Sequence, residues 1–311
     1  MNIGMDIETF QNLPTTEVAR LVHAAGPKVC VFPINGTRRW FVLEYALQPG
    51  EDPWTAYLDI AGRRHVELYR LLFDHGLDTL LTPVFGPDLL SRGEMYVEAA
   101  AVGMARMATH TDFTNFYQEY GVRVRFYGDY RQFFASTPYA FLSDLFDETT
   151  QRTMSHDRYR LFIGVCANDA TETIARLSVG YHAEHGHAPD RRTLVELYYG
   201  EYVPPVNLFI GFEKFAMFDM PLVGTGNEDL YFTASPSPYL TTQGLRTILY
   251  DHLYLRSAEE PDYATMPAED RSLMRDFYHA NREKALGVGT LRGGVWYPLP
   301  QVTIPDGFPE D

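Results

Sequence analysis

Apolar residues recur along this chain in two rhythms. Short runs dense in β-branched and aromatic residues lie at 28–34 (KVCVFPI), 79–85 (TLLTPVF), 123–127 (RVRFY), 160–166 (RLFIGVC), 207–212 (NLFIGF) and 229–233 (DLYFT), and they predict strands. Between them, stretches at 54–75, 90–110, 168–185, 193–199 and 241–255 place apolar residues at helical spacing, and a last helix is expected over 267–281. Strands separated by helices require right-handed crossovers. The expected fold class is therefore α/β: a central, mostly parallel sheet flanked by helices on both faces. No internal repeat and no Gly/Ser-rich linker divides the chain, so one domain is expected over 1–311, with a core over about 17–296. The stretch after the last helix, ending in 297–311, reads as irregular.

In an open parallel sheet, ligands sit beyond the carboxyl ends of the strands. The loops after Ile34, Phe85, Tyr127, Cys166 and Phe212 are where chemistry is to be sought. The first of them reads Asn35-Gly36-Thr37-Arg38-Arg39-Trp40. Gly36 lets the backbone approach an anion, Thr37 offers a hydroxyl, and two adjacent arginines supply charge-assisted donors for phosphate oxygens. Taken alone, the same residues also describe a surface turn with two solvated arginines. Their position after the first strand favours the phosphate-binding reading.

The frame around this loop resembles the first motif of the cis-prenyltransferases, a strand followed by (D)GxxRW. Phe85-Gly-Pro-Asp88-Leu89-Leu-Ser-Arg92 is similar to the F-S-x-E-N-x-x-R motif, 122–129 (VRVRFYGD) to the strand ending in Gly-Asp, and 229–233 to the late E-L-Y-F-T segment. A narrower likeness, to the branch of tuberculosinol and kolavelool synthases, is carried by 26–41 (GPKVCVFPINGTRRWF), Leu72-Phe73-Asp74-His75-Gly76, Tyr198-Tyr-Gly-Glu-Tyr202 and 249–256 (LYDHLYLR). It runs from about Glu17 to Trp296.

This resemblance implies a class I-type diterpene synthase. Such an enzyme ionises a preformed bicyclic diterpenyl diphosphate of the halimadienyl, kolavenyl or copalyl type, supplied by a separate class II diterpene cyclase. Water, adenosine or deprotonation then quenches the cation. It further implies Mg²⁺ as cofactor, a homodimer, and diphosphate binding by Gly36, Thr37, Arg38 and Arg39. Tyr57 and Tyr96 match tyrosines expected near the reacting carbon, and Asp88 with Arg92 would shape a neighbouring loop.

Two departures qualify these implications. Where the cis-prenyltransferases carry arginines for a second diphosphate, this chain reads Ile210-Gly211-Phe212-Glu213-Lys214-Phe215, so chain elongation is not expected. The usual metal-binding Asp is Asn35. Three outcomes stay open: Asp229 holds the metal, reaching in from a partner subunit; ionisation leans on Arg38 and Arg39 alone; or the chain is a non-catalytic partner subunit of a cis-prenyltransferase.

Composition narrows the remainder. Against 41 Asp and Glu stand 26 Lys and Arg, a formal charge of -15, which excludes a basic nucleic-acid footprint. Aromatic residues are abundant at 21 Tyr, 20 Phe and 3 Trp, and they offer π-faces for a carbocation. Cys30 and Cys166 sit in apolar runs and read as buried free thiols. The N-terminal segment lacks a basic n-region and an apolar h-region, and no run is long enough to span a bilayer, so a cytoplasmic protein is expected. Several metal-like or nucleotide-like patterns read as structural. Asn168-Asp169 precedes a helix; Asp144-Leu-Phe-Asp147-Glu148 is near D-D-x-x-D but has no second acid beside Asp144. His182, His185 and His187 surround a helix end at Gly186, and 287–293 misses the dinucleotide-binding spacing by one residue.

Overall fold

The computed structural model describes residues 5–86, 93–256, 262–299 and 302–304. Helices α1 (Ile7–Asn12) and α2 (Thr15–Ala24) precede β1 (Val29–Val31). Helices α3 (Thr37–Glu44) and α4 (Pro53–Asp74) lead to β2 (Thr79–Phe85), and α5 (Glu94–Thr109) and α6 (Thr111–Tyr120) lead to β3 (Val122–Tyr127). Helices α7 (Tyr130–Phe134) and α8 (Phe141–Thr153) precede β4 (Tyr159–Val165), and α9 (Thr171–His185) and α10 (Arg191–Tyr199) precede β5 (Leu208–Phe212). Then come β6 (Asp229–Thr233), α11 (Thr242–Tyr250) continuing as a π-helical turn over Asp251–Leu255, α12 (Ala268–Asn281), β7 (Gly289–Arg292) and β8 (Val295–Pro298).

Six strands form one sheet in the order β3-β4-β2-β1-β5-β6, and every neighbouring pair is parallel. Both faces are buried, as a parallel sheet requires. Alternation along the strands sends Cys30, Leu161, Ile163, Leu208 and Ile210 into one core, and Val29, Val31, Phe162 and Phe209 into the other. Aromatic side chains dominate the larger core: Phe73 stacks on Tyr159 at 4.4 Å and Phe126 on Phe146 at 3.9 Å between ring centroids. Among the described residues, no helix is long and apolar enough to cross a membrane.

Three expectations change. The run at 28–34 yields a strand of only Val29–Val31: Phe32 still donates to the Leu81 carbonyl at 2.8 Å, but Pro33 has no N–H to continue the ladder. The segment from Thr37 is not a loop but the first turn of α3, with Gly36 at its N-cap. The stretch after α12 is not wholly irregular, because β7 and β8 pair as an antiparallel hairpin. Its two-residue turn, Gly293 (φ 58°) and Gly294 (φ 78°), has the double left-handed geometry that glycine supplies at least cost. Besides α3, helices α1, α2, α6, α7 and α8 stand where the apolar pattern predicts none.

The sheet order also fixes where a ligand crevice opens. From central β1 the chain moves outward to β2 on one side, and from β5 outward to β6 on the other. Connections therefore diverge at the β1/β5 pair, and the segments leaving these two strands border a gap.

Candidate active site

At that switch point the chain leaving β1 meets the chain leaving β5. Asn35 is held by its backbone: its N–H donates to Ser237 Oγ at 3.1 Å, and its carbonyl accepts from the Ser237 N–H at 3.0 Å. Gly36 follows with φ 77°, and a Cβ there would meet Pro236 Cβ at 2.8 Å and the Phe212 ring at 3.1 Å. Only glycine fits. Its carbonyl accepts from the Trp40 N–H at 2.9 Å, which starts α3 and leaves the Thr37, Arg38 and Arg39 N–H groups without intrahelical partners. These donors, at the positive end of the helix dipole, are arranged as an anion would require.

Both arginine side chains are exposed and set by aromatic rings. The Arg38 guanidinium lies over Trp54 at 5.2 Å and Arg39 over Phe212 at 5.4 Å. Arg39 also pairs with the Glu213 carboxylate at 3.4 Å, whereas Arg38 has no carboxylate partner among the described residues. Glu213 sits at the end of β5 with φ 66°, a left-handed conformation uncommon outside glycine and found where a site imposes it.

Below the arginines a cavity of about 750 Å³ opens between α4, α5 and the sheet. The volume suits a small-molecule ligand. Asn35, Gly36, Thr37, Arg38, Arg39, Tyr57 and Tyr96 all line it, so the structure brings together the residues singled out from the sequence at this end. Tyr57 Oη and Thr37 Oγ1 are 2.8 Å apart and share a hydrogen bond. Burial raises the Tyr57 pKa, only partly opposed by the Thr37 bond, so the phenol keeps its proton through neutral pH. Phe41 meets Tyr57 edge-on at 5.5 Å and fixes its ring.

Asp229 is not in this group. It opens β6 in register with Leu208, at the start of β5, so it sits about 13 Å along the sheet from the level of Phe212, the residue under Arg39. It is engaged there by His252 Nδ1 at 2.6 Å and by Arg256 at 3.7 Å. Reaching the arginine site from that position would take a second copy of the chain. Asp88, Leu89 and Arg92 lie outside the described residues.

The donor set at the arginines does not make a resident metal site. Among the described residues no group of three His, Cys, Asp or Glu side chains could hold an ion. The oxygens at hand are the Asn35 amide and a Glu213 carboxylate already committed to Arg39, too few for Mg²⁺ without ligands from a substrate.

Several lining residues escape sequence reasoning. Trp54 and His65 belong to the α4 face that carries Tyr57, at spacings that a helical wheel would have shown. Leu291, Val295 and Trp296 of the hairpin close another side, and the Gly-Gly turn between two alternating segments was the available signal. Glu213 announces itself only through backbone geometry.

No protein-family model matches the chain. It is 42% identical over 299 residues to tuberculosinyl adenosine transferase from Mycobacterium tuberculosis, covering 96% of this chain and 99% of that one. It is 24% identical over 302 residues to (+)-kolavelool synthase from Herpetosiphon aurantiacus, covering 92% and 96%. Among solved structures, lavandulyl diphosphate synthase from Lavandula x intermedia in complex with dimethylallyl diphosphate shares the fold, with TM-score 0.57, 15% identity and 79% of this chain and 98% of that one covered. A probable undecaprenyl diphosphate synthase from Campylobacter jejuni does so with TM-score 0.53, 14% identity and 75% and 97% coverage.

Proposed function

Because the chain belongs to the family of tuberculosinyl adenosine transferase, we propose that it ionises a preformed bicyclic diterpenyl diphosphate, releases diphosphate and quenches the cation in its own cavity. The observation that carries this reading is the bond between Thr37 and Tyr57, which joins the first turn of the arginine-bearing helix to a phenol in the cavity wall. The diphosphate sits on the Thr37, Arg38 and Arg39 N–H groups and the two guanidinium groups. Heterolysis of the C–O bond leaves the electron pair on diphosphate, where fixed positive charge stabilises it. The allylic cation forms on the cavity side, against the rings of Trp54, Tyr57 and Phe212. Tyr57 and Tyr96 orient the quenching water, whose proton leaves toward the diphosphate.

Ring formation is assigned to a separate class II cyclase, because no D-x-D-D acid motif occurs in the chain. Mg²⁺, expected by resemblance, is proposed to travel with the diphosphate. Treatment with EDTA followed by Mg²⁺ readdition tests this, with turnover read at each stage. A cytoplasmic homodimer completes the proposal, and sedimentation equilibrium checks its stoichiometry.

The deciding experiment incubates the purified protein with geranylgeranyl, copalyl, kolavenyl and halimadienyl diphosphates, with and without isopentenyl diphosphate. The expected result is a terpene alcohol or hydrocarbon from a bicyclic substrate alone. Longer prenyl diphosphates would overturn it in favour of elongation, and no turnover of any substrate in favour of a non-catalytic partner.

A further inference from the structure

Eight residues beyond Tyr57 on the same face of α4 stands His65, which also lines the cavity. At 1.5 Å per residue it lies about 12 Å further along the helix, away from the arginines. Its Nδ1 is 2.7 Å from the Ala61 carbonyl oxygen. A carbonyl only accepts, so Nδ1 carries the hydrogen and Nε2 keeps its lone pair. Burial lowers the pKa of the ring, only partly offset by the Ala61 bond, and keeps the imidazole neutral.

Nothing among the described residues hydrogen-bonds Nε2. Ala61, Pro83, Val84, Met104, Met107 and Phe113 line the same cavity and offer no side-chain donor. Arg106, another polar residue of the lining, is already paired with Asp59. The cavity therefore holds a neutral acceptor, positioned by its own helix, in largely apolar surroundings. An acceptor left unmatched by a bound ligand costs the full desolvation of that group.

We infer that the ring system of the substrate carries a hydroxyl that donates to His65 Nε2, so that His65 selects a ring-hydroxylated bicyclic diterpenyl diphosphate over its ring-unsubstituted counterpart. This rests on the reading above for the diphosphate end: with the diphosphate on Arg38 and Arg39, the bicycle occupies the far end of the cavity. His65 is a specificity residue here, since the reacting carbon lies beside Tyr57. The inference also fixes the class of reaction that supplies the substrate. A protonation-initiated cyclisation ending in proton loss leaves an alkene. One ending in water capture forms a C–O bond, releases the proton from the added water, and leaves the required hydroxyl.

Binding tests this without chemistry. Trp54 and Trp296 line the cavity, so their fluorescence reports occupancy. Two bicyclic diterpenyl thiolodiphosphates, which keep the diphosphate end but ionise far more slowly, one with a ring hydroxyl and one without, are titrated into the full chain. The hydroxylated ligand is expected to bind about 10–100-fold more tightly. His65→Phe should bring the ratio to near one, and His65→Gln, which keeps an acceptor, should restore part of it. Equal affinity in the unmodified protein, or an unchanged ratio in His65→Phe, overturns the inference. The readout is a ratio of affinities and not turnover, so failure of the turnover panel would sink the functional reading while leaving this measurement to decide its own question.

Discussion

Arg38 and Arg39 are adjacent in sequence but not equivalent in charge. Arg38 lies over the π-face of Trp54 with no carboxylate partner among the described residues, whereas Arg39 shares its charge with Glu213. Arg38→Ala should lower kcat/KM by about 10²–10³-fold with an unchanged far-ultraviolet circular dichroism spectrum. Unaltered kinetics would remove the diphosphate from this helix. Arg39→Ala also uncovers the Glu213 carboxylate beside the bound anion, so Arg39→Ala/Glu213→Gln should recover part of the loss, read as a double-mutant cycle. Tyr57→Phe keeps the ring and deletes the hydroxyl, and kcat should fall by about 10²-fold with KM little changed if the phenol orients the quencher. Gly36→Ala brings strain at φ 77° as well as contact with Pro236; a loss of about 1–2 kcal/mol by urea titration is expected.

The elements place these residues by means that sequence shows unevenly. Buried Arg246 of α11 donates to the Gln11 and Leu13 carbonyls, to Thr15 Oγ1 and to His75 Nε2, tying α1, α2 and α4 together. Arg246→Met leaves those acceptors unmatched and should cost about 3 kcal/mol, checked by chemical denaturation. Nothing in periodicity marks Arg246, since its partners are 171 to 235 residues away. The sheet was legible because buried strands such as β4 carry a continuous apolar run over 161–166, and β6 coincides with the predicted 229–233. The arginine site was legible because its parts are contiguous. Helix α8 was not, because FLSDLFDETTQRT mixes polar residues into a stripe whose buried members, Leu142, Phe146, Thr149 and Thr153, are partly threonine. Asp229 is a different case: its local motif is plain in sequence, but a motif does not say which edge of the sheet it will occupy, and it stands at the start of β6, outside the cavity lining.

For the molecule as a whole, the charge of -15 governs the surface and the arginine pair the site, so global and local electrostatics have opposite signs. Buried histidines add a pH dependence of stability. His65 and His75 are both held below the ordinary value of 6.5 by burial. Near that pH the unfolded chain takes up protons that the folded one refuses, so stability is complete above pH 6.5 and falls as the pH drops below it. Urea midpoints measured on either side of pH 6.5 check the sign; an equal midpoint at both would contradict it. The thiols are shielded in the same way: burial pushes Cys166 up to about 12, and Cys30 is inaccessible. Ellman's reagent should detect neither in the native protein and both after denaturation.

The hairpin has a consequence for the order in which the chain is made. Residues 34–39 belong to the earliest part of the cavity to leave the ribosome, and Trp296 to the latest. All six strands have been synthesised by residue 233, so the sheet and its anion-binding helix can assemble while this wall is still missing. On the function proposed above, a chain cut between α12 and β7 would keep the arginine site but lose one side of the cavity. Such a product is expected to bind the proposed substrate with the site open to solvent, so damage near the carboxyl end would turn the protein into a competitor for its own substrate.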